Sequence, residues 1–318
     1  MECSPVKKTE GDLYLIMKNK GAPILVYFSI ITAVIFWGFS FIWTNSLLQD
    51  GFPPYALIFF RMVFAAIILL LVSIISGKLE RIARKDWGWF LLLVTMEPFI
   101  YFIGETLGLQ IVGSPTLGSI IIATIPIFAL IPGMIVYKEK ITAINVFGVS
   151  ITLPGILLVV FENGSVQVSH YYGIFLLFIA VFAAVGYSVI VKKLTNRYNS
   201  YTIVTYQHLL GAIYFLPLFL YNDASSISIA SFTPEILKPL LFLAVLCSCV
   251  AFILFINSIK VLGIARTNIF TSLVPVVSAF GAFVMGHEGL NTRKIIGILI
   301  VILGVIIAQR EKKKPVIN

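Results

Sequence analysis

Apolar residues in this chain come in ten long runs separated by short polar joints. The runs lie near 24–48, 54–76, 87–110, 114–137, 143–161, 171–193, 201–222, 239–262, 265–286 and 293–309. Each is close to the roughly 20 residues a helix needs to cross a bilayer. The pattern therefore predicts ten transmembrane helices, spans 1 to 10, and no soluble core. Most joints are a few residues long; the longest, 223–238, carries Asp223, several serines and Pro234. The least marked boundaries are Gly113–Ser114–Pro115, between spans 3 and 4, and the surroundings of Gly263, between spans 8 and 9; glycine and proline punctuate both.

The pattern repeats. Pro126, Glu139, Gly148 and Gly155 recur 149 residues later as Pro275, Glu288, Gly297 and Gly304, with intervals of 13, 9 and 7 residues in both copies. Around them IPIFALIPGMIVYKEK answers VPVVSAFGAFVMGHEG. Weaker echoes pair Gly38 with Gly186, Arg61 with Gln207 and Gly113 with Gly263. Ten spans divide into two sets of five, and five is odd, so the second set enters the membrane from the opposite side. Such halves are inverted repeats about a pseudo-two-fold axis in the membrane plane. The expected divisions are a polar N-terminal segment over 1–23, one five-helix half over 24–165, an inverted second half over 166–310 and a basic tail over 311–318.

Composition supports the same class: 59% of the residues are hydrophobic and 12% charged, against roughly 25% charged in soluble domains. A net charge of +9 would suit a nucleic-acid partner were it not for its placement. With the N-terminus inside, 19 of the 23 Lys and Arg residues fall in inner segments, Arg61 lies within a span, and only Lys238, Arg293 and Lys294 lie outside. That bias places both termini in the cytoplasm of a plasma membrane, the inner membrane in a bacterium. The first apolar run is too long for a signal-peptide core and reads as a retained anchor. Cys247 and Cys249 are two apart, about 200° on a helix, and cannot easily bridge; they read as small apolar fillers. No cofactor or metal is called for by any spacing. The internal duplication supplies two halves in one chain, so a monomer suffices.

The ten spans, the two five-helix halves and the repeated Pro–Glu–Gly–Gly pattern resemble the drug/metabolite transporter superfamily, EamA-type branch. The resemblance covers nearly the whole chain. It implies secondary, alternating-access transport, often export, of small metabolites such as amino acids, or of drugs. It also implies a central cavity lined by spans 1, 3, 4, 6, 8 and 9. The small four-helix multidrug relatives use a glutamate in their first helix; span 1 here has none, so that coupling scheme does not carry over.

Ionisable groups inside a membrane are costly and usually functional. Four stand out: Arg61, Glu97, Glu105 and His208. At 1.5 Å per residue, Arg61 and Glu105 sit at matching depths, roughly 10 Å below the outer ends of their spans. Glu97 is deeper and His208 lies towards the inner end. The depths suggest an outer Arg61–Glu105 pair and an inner Glu97–His208 pair, with proton coupling through Glu97, Glu105 or His208; the alternative is that Arg61 or His208 only ties helices together. On span 3, Glu97, Tyr101, Gly104, Glu105 and Gly108 share about a 100° arc, either a cavity wall or a packing seam, with a kink expected at Pro98. Span 1 offers Trp37, Ser40, Phe41, Thr44 and Asn45, span 6 Tyr187 and Ser188, span 8 Asn257 and Ser258, and span 9 Asn268 and Thr271. An aromatic-rich cavity of this kind suits flat or cationic organic molecules. Pro126 and Pro275 interrupt spans 4 and 9 at mid-depth and read as hinges, or as broken backbone that coordinates a substrate or ion. Glu139 and Glu288 are expected to favour the starts of spans 5 and 10, near Thr142 and Thr292. Gly148 with Gly155, and Gly297 with Gly304, predict tight packing of spans 5 and 10.

The expected function is thus a secondary transporter of small organic molecules, in contact with lipid and with protons as coupling ions. The sequence contains no GxxxxGK[ST] and no HExxH. An intramembrane enzyme acting on a lipid-like substrate, and a channel or non-transporting scaffold, are the alternatives.

Overall fold

The computed structural model describes residues 24–160, 171–285 and 291–308. Glu288, the 1–23 segment and the tail beyond residue 308 lie outside the described residues. The architecture is all-helical. Helices α1 (Ile24–Gln49), α2 (Pro54–Ile75), α3 (Arg84–Val112), α4 (Pro115–Ile135), α6 (Tyr171–Leu194), α7 (Ser200–Asn222), α8 (Pro234–Leu262) and α9 (Ile264–Val284) are each long and apolar enough to cross a membrane. The shorter apolar helices α5 (Ala143–Val160) and α10 (Thr292–Ala308) complete the two sets of five. Helix α8 begins earlier than its apolar run suggested, because Pro234 starts it as a first-turn residue; proline suits that position, where its missing amide would have no partner. The long joint before it holds two single-turn 3-10 segments, Ala224–Ser226 and Ile229–Ser231.

Helices α5 and α10 pack against each other through their glycines. A side chain on Gly148 would collide with the backbone of Ala308, one on Gly155 would lie 2.8 Å from the Gly297 carbonyl, and one on Gly304 would lie 2.8 Å from the Gly148 carbonyl. The absent side chains let the two backbones touch, the arrangement small residues provide when lipid offers no hydrophobic drive for helix association. In α3, Gly104 and Gly108 do the same against α6, where Cβ atoms would meet the Leu176 and Gly173 carbonyls at 2.6 and 2.9 Å.

The two copies of the repeat share their irregularities. Helices α3 and α8 each widen to a π-helical stretch, Thr95–Ile100 and Leu243–Val250, at corresponding positions. Helices α4 and α9 are each broken just before the repeated proline. In α4 the helix stops at Ile122 and resumes at Ile125. In α9 it passes through a 3-10 turn, Phe270–Leu273, and resumes at Val274. Pro126 and Pro275 are therefore the second residue of a new helical segment, not an interruption of a continuous one.

Carboxylates tie the halves together by capping each other's helices. The Asp223 carboxylate accepts the Ala56 amide at 2.8 Å, in the first turn of α2. The Glu139 carboxylate accepts the amides of Ile264 and Ala265 at 2.6 and 2.9 Å, at the start of α9. This corrects the expectation that Glu139 serves span 5: the start of α5 is closed by Asn145, whose Oδ1 accepts from Thr142 N and Oγ1. The starts of α4 and α9 differ by one residue. In the first, Gly113 ends α3 with φ +67° and Ser114 caps α4 with its own hydroxyl, which accepts from Leu117 N. In the second, Gly263 alone ends α8 and precedes α9. Glycine has no side chain to cap with, and at α9 the acceptor is Glu139 of the other half. The bare Gly263 is also what admits it, since a Cβ there would lie 2.6 Å from Glu139 Oε1. A third tie joins Asp86 to Arg197 Nη1 at 2.6 Å and to the Tyr198 hydroxyl at 2.8 Å.

Gly148→Ala and Gly304→Ala overpack the α5–α10 seam and should each destabilise the protein by about 1–3 kcal/mol, read as a lower midpoint of thermal unfolding in detergent. Gly88→Ala, with nothing within 4 Å of the new Cβ, should be neutral or slightly stabilising. Glu139→Ala strands two amides and should cost about 1–3 kcal/mol, with Glu139→Gln losing less; a midpoint unchanged in Glu139→Ala would remove the cap from the account.

Candidate functional site

Helix α3 supplies most of the chemistry. Pro98 has no amide to donate, and Glu97 before it adopts an extended backbone, φ −146° and ψ 118°, inside the π-helical stretch. Residues before proline favour that region. Gly211 of α7 makes room for the bend: a Cβ there would lie 2.6 Å from Pro98 Cγ. Beyond the bend the helix is regular, so Tyr101 and Glu105 follow one another at four-residue spacing on one face.

That face borders a cavity at the centre of the molecule. Its walls are Trp37, Ser40 and Phe41 from α1, Arg61 from α2, and Glu97, Tyr101, Phe102 and Glu105 from α3. The other side is Ile122 and Ile125 from α4, Ala184, Tyr187 and Ser188 from α6, Phe252 and Phe255 from α8, and Thr271 and Val274 from α9. The lining helices are therefore α1, α3, α4, α6, α8 and α9, with Arg61 of α2 added. The breaks in α3, α4, α8 and α9 all fall at or beside these residues. The volume of the cavity is about 40 Å³, room for a few waters and not for an organic molecule.

Eight of the expected binding residues line the cavity: Trp37, Ser40, Glu97, Tyr101, Glu105, Tyr187, Ser188 and Thr271. Four do not. Asn268 donates to Ser188 Oγ at 3.2 Å and to the Ile264 carbonyl at 2.9 Å, and so supports a lining residue from behind. Asn257 is exposed and accepts from the Ser200 hydroxyl. Thr44 and Asn45 are buried further along α1. The face of α3 divides: its acids and Tyr101 line the cavity while Gly104 and Gly108 form the seam with α6.

The ion pairs expected from depth are not formed. A salt bridge joins Arg197 to Asp86, and neither expected pair makes one. Arg61 and Glu105 are both at the cavity, but Arg61 Nε donates to Ser248 Oγ at 2.8 Å and its guanidinium lies 4.3 Å from the centre of the Phe102 ring. Glu105 Oε1 accepts instead from the Tyr101 hydroxyl at 2.9 Å. His208 does not reach Glu97. It is fully buried, its Nδ1 lies 2.9 Å from the Val204 carbonyl, and its ring packs edge-on against Phe252. Depth along a helix fixes height but not azimuth, and His208 points behind the wall that Phe252 makes.

Phe102, Phe252 and Phe255 are the aromatic lining residues that sequence reasoning left out. Phenylalanine in an apolar run carries no signal of its own. Phe252 and Phe255 form edge contacts with Trp37, at centroid distances of 5.4 and 4.8 Å. Trp37 Nε1 in turn donates to the Cys247 carbonyl at 3.2 Å, in the widened stretch of α8. Among the described residues no cluster of three or more His, Cys, Asp or Glu side chains could hold a metal.

Comparison with known proteins agrees with this architecture. The model of the EamA-like transporter family matches twice, over residues 24–161 and 171–309. The chain is 27% identical over 279 residues to an uncharacterized transporter of Archaeoglobus fulgidus, covering 88% of this chain and 96% of the relative. It is 26% identical over 314 residues to the uncharacterized transporter YetK of Bacillus subtilis, covering 98% and 92%. A solved crystal structure superposes with a TM-score of 0.74 at 15% identity over 89% of this chain and 96% of the other, a likeness of fold. With both five-helix halves matched in full, the chain is a multi-pass membrane protein that belongs to the EamA-like transporter family.

Proposed function

We propose that the protein is a secondary transporter that exports small organic metabolites, such as amino acids or drugs, across the plasma membrane by alternating access. The observation that carries this reading is one central cavity bounded by helices of both halves, lined by two carboxylates, a guanidinium and a wall of aromatic rings. Intramembrane charge of this kind is retained for pathways. The cavity is too small for a substrate in this conformation, so substrate entry requires the walls to part. The breaks at Pro126 and Pro275, beside the cavity and at matching places in the two halves, are where rocking of one half against the other would bend the chain. Both termini lie in the cytoplasm in this scheme, from the placement of basic loops. Protons are the coupling ions, carried by the cavity carboxylates; His208, turned away behind Phe252, takes no part.

Reconstituted vesicles test the proposal with an amino-acid and amine panel, with and without a pH gradient. Saturable flux should appear, and unlabelled substrate on the far side should accelerate loss of labelled substrate, which a channel would not do. No substrate-dependent flux across the panel would defeat the transporter reading. Glu97→Gln and Glu105→Gln should each lower gradient-driven flux at least tenfold; a variant that keeps it leaves the coupling scheme. Because Arg61 and Glu105 make no direct pair, exchanging them (Arg61→Glu with Glu105→Arg) should not rescue the flux lost by either single variant.

A further inference from the structure

The cavity's hydrogen-bonding groups are not evenly available. Its neutral donors are already committed to the protein. The Ser40, Ser188 and Thr271 hydroxyls donate to the Trp37, Ala184 and Asn268 carbonyls at 2.7, 3.0 and 2.7 Å. The Tyr187 hydroxyl donates to Gln207 Oε1 at 2.9 Å, the Tyr101 hydroxyl to Glu105, and the Trp37 indole to the Cys247 carbonyl. With their polar atoms engaged elsewhere, Trp37 and Tyr187 offer the cavity ring surface.

Glu97 is the opposite case. Its residue is 6% exposed, its side chain borders the cavity, and no described residue donates a hydrogen bond to its carboxylate. A buried carboxylate without a partner is costly, and a carboxylate can only accept. The formal charges add to the same point. Glu97, Glu105 and Arg61 together carry one net negative charge once both acids have released their protons, the state that an entering cation favours. A zwitterion or a neutral molecule would leave that charge uncompensated, an anion would double it, and a molecule with a single positive charge cancels it.

Resting on the transporter reading above, we infer that this cavity, once its walls part, takes an organic monocation: a protonated amine seated on Glu97, with a flat apolar body against the aromatic wall that includes Trp37, Tyr187 and Phe255. An ammonium group brings the donors that the carboxylate lacks, and aromatic faces add attraction for the cation itself. Arg61, pinned by Ser248 and laid over Phe102, stays beside Glu105 and repels a second positive charge.

Four probes of one shape and different charge test this: 2-phenylethylamine, phenylalanine, 2-phenylethanol and 3-phenylpropionate. Binding is read on the purified full chain by tryptophan fluorescence and by ligand-induced shift of thermal unfolding, without transport. The amine should bind at least tenfold more tightly than the other three. Glu97→Gln should erase that preference, while Glu97→Asp, which keeps the charge, should retain it at weaker affinity. Should Glu97→Gln fail to fold, the Asp variant and the order of the four probes on the native chain still decide. Phenylalanine or the alcohol binding as tightly as the amine, an amine preference that survives Glu97→Gln, or no saturable amine binding overturns the inference. Vesicle flux of some other substrate alongside such a result would leave the transporter reading intact, whereas loss of flux across the whole panel would strike that reading instead.

Discussion

A chain that lies in hydrocarbon must satisfy its backbone polar groups from within, and the shape of this protein follows from where it meets that demand. The ends and breaks of its helices are the places where amides and carbonyls lose their helical partners. Asp223 supplies an acceptor to α2 from the second half, and Glu139 supplies two oxygens to α9 from the first. Each cap belongs to one half and serves the other. Helix termination and attachment of the halves are thus one interaction.

The same demand explains why the irregular backbone gathers at the centre. The widened stretches of α3 and α8 and the breaks in α4 and α9 would be intolerable against lipid. They lie at or beside the cavity, packed among the side chains of the other helices. Trp37 shows the coupling: its indole N–H satisfies the Cys247 carbonyl in the widened α8 while its ring forms the cavity wall. Away from the cavity, the glycines of α5 and α10 press backbone to backbone.

The residues at the cavity could be nominated from the sequence because charge and polarity are conspicuous in an apolar run. Glu97, Tyr101, Glu105 and Arg61 could be picked out on that ground and all reach the cavity. Their partners were not legible. Arg61 and Glu105 share a depth, yet the arginine binds Ser248 and the glutamate Tyr101. Glu97 and His208 were matched by height, yet the histidine packs against Phe252 and the Val204 carbonyl. The phenylalanines of the wall were invisible because nothing distinguishes a lining phenylalanine from one that faces lipid. Asn257 failed for the converse reason, a polar residue that lies at the surface near the end of its helix.

Sequence alone determined the class, the ten spans, the two-fold repeat and its inversion, because lipid imposes a helix length and a polarity rule on every segment separately. Those are local constraints, readable one run at a time. Tertiary structure decided which acid meets which donor, that Glu139 caps α9 and not α5, and that Glu97 stands unpartnered at the cavity. These depend on how helices rotate about their own axes when the two halves meet, which no single run of residues records.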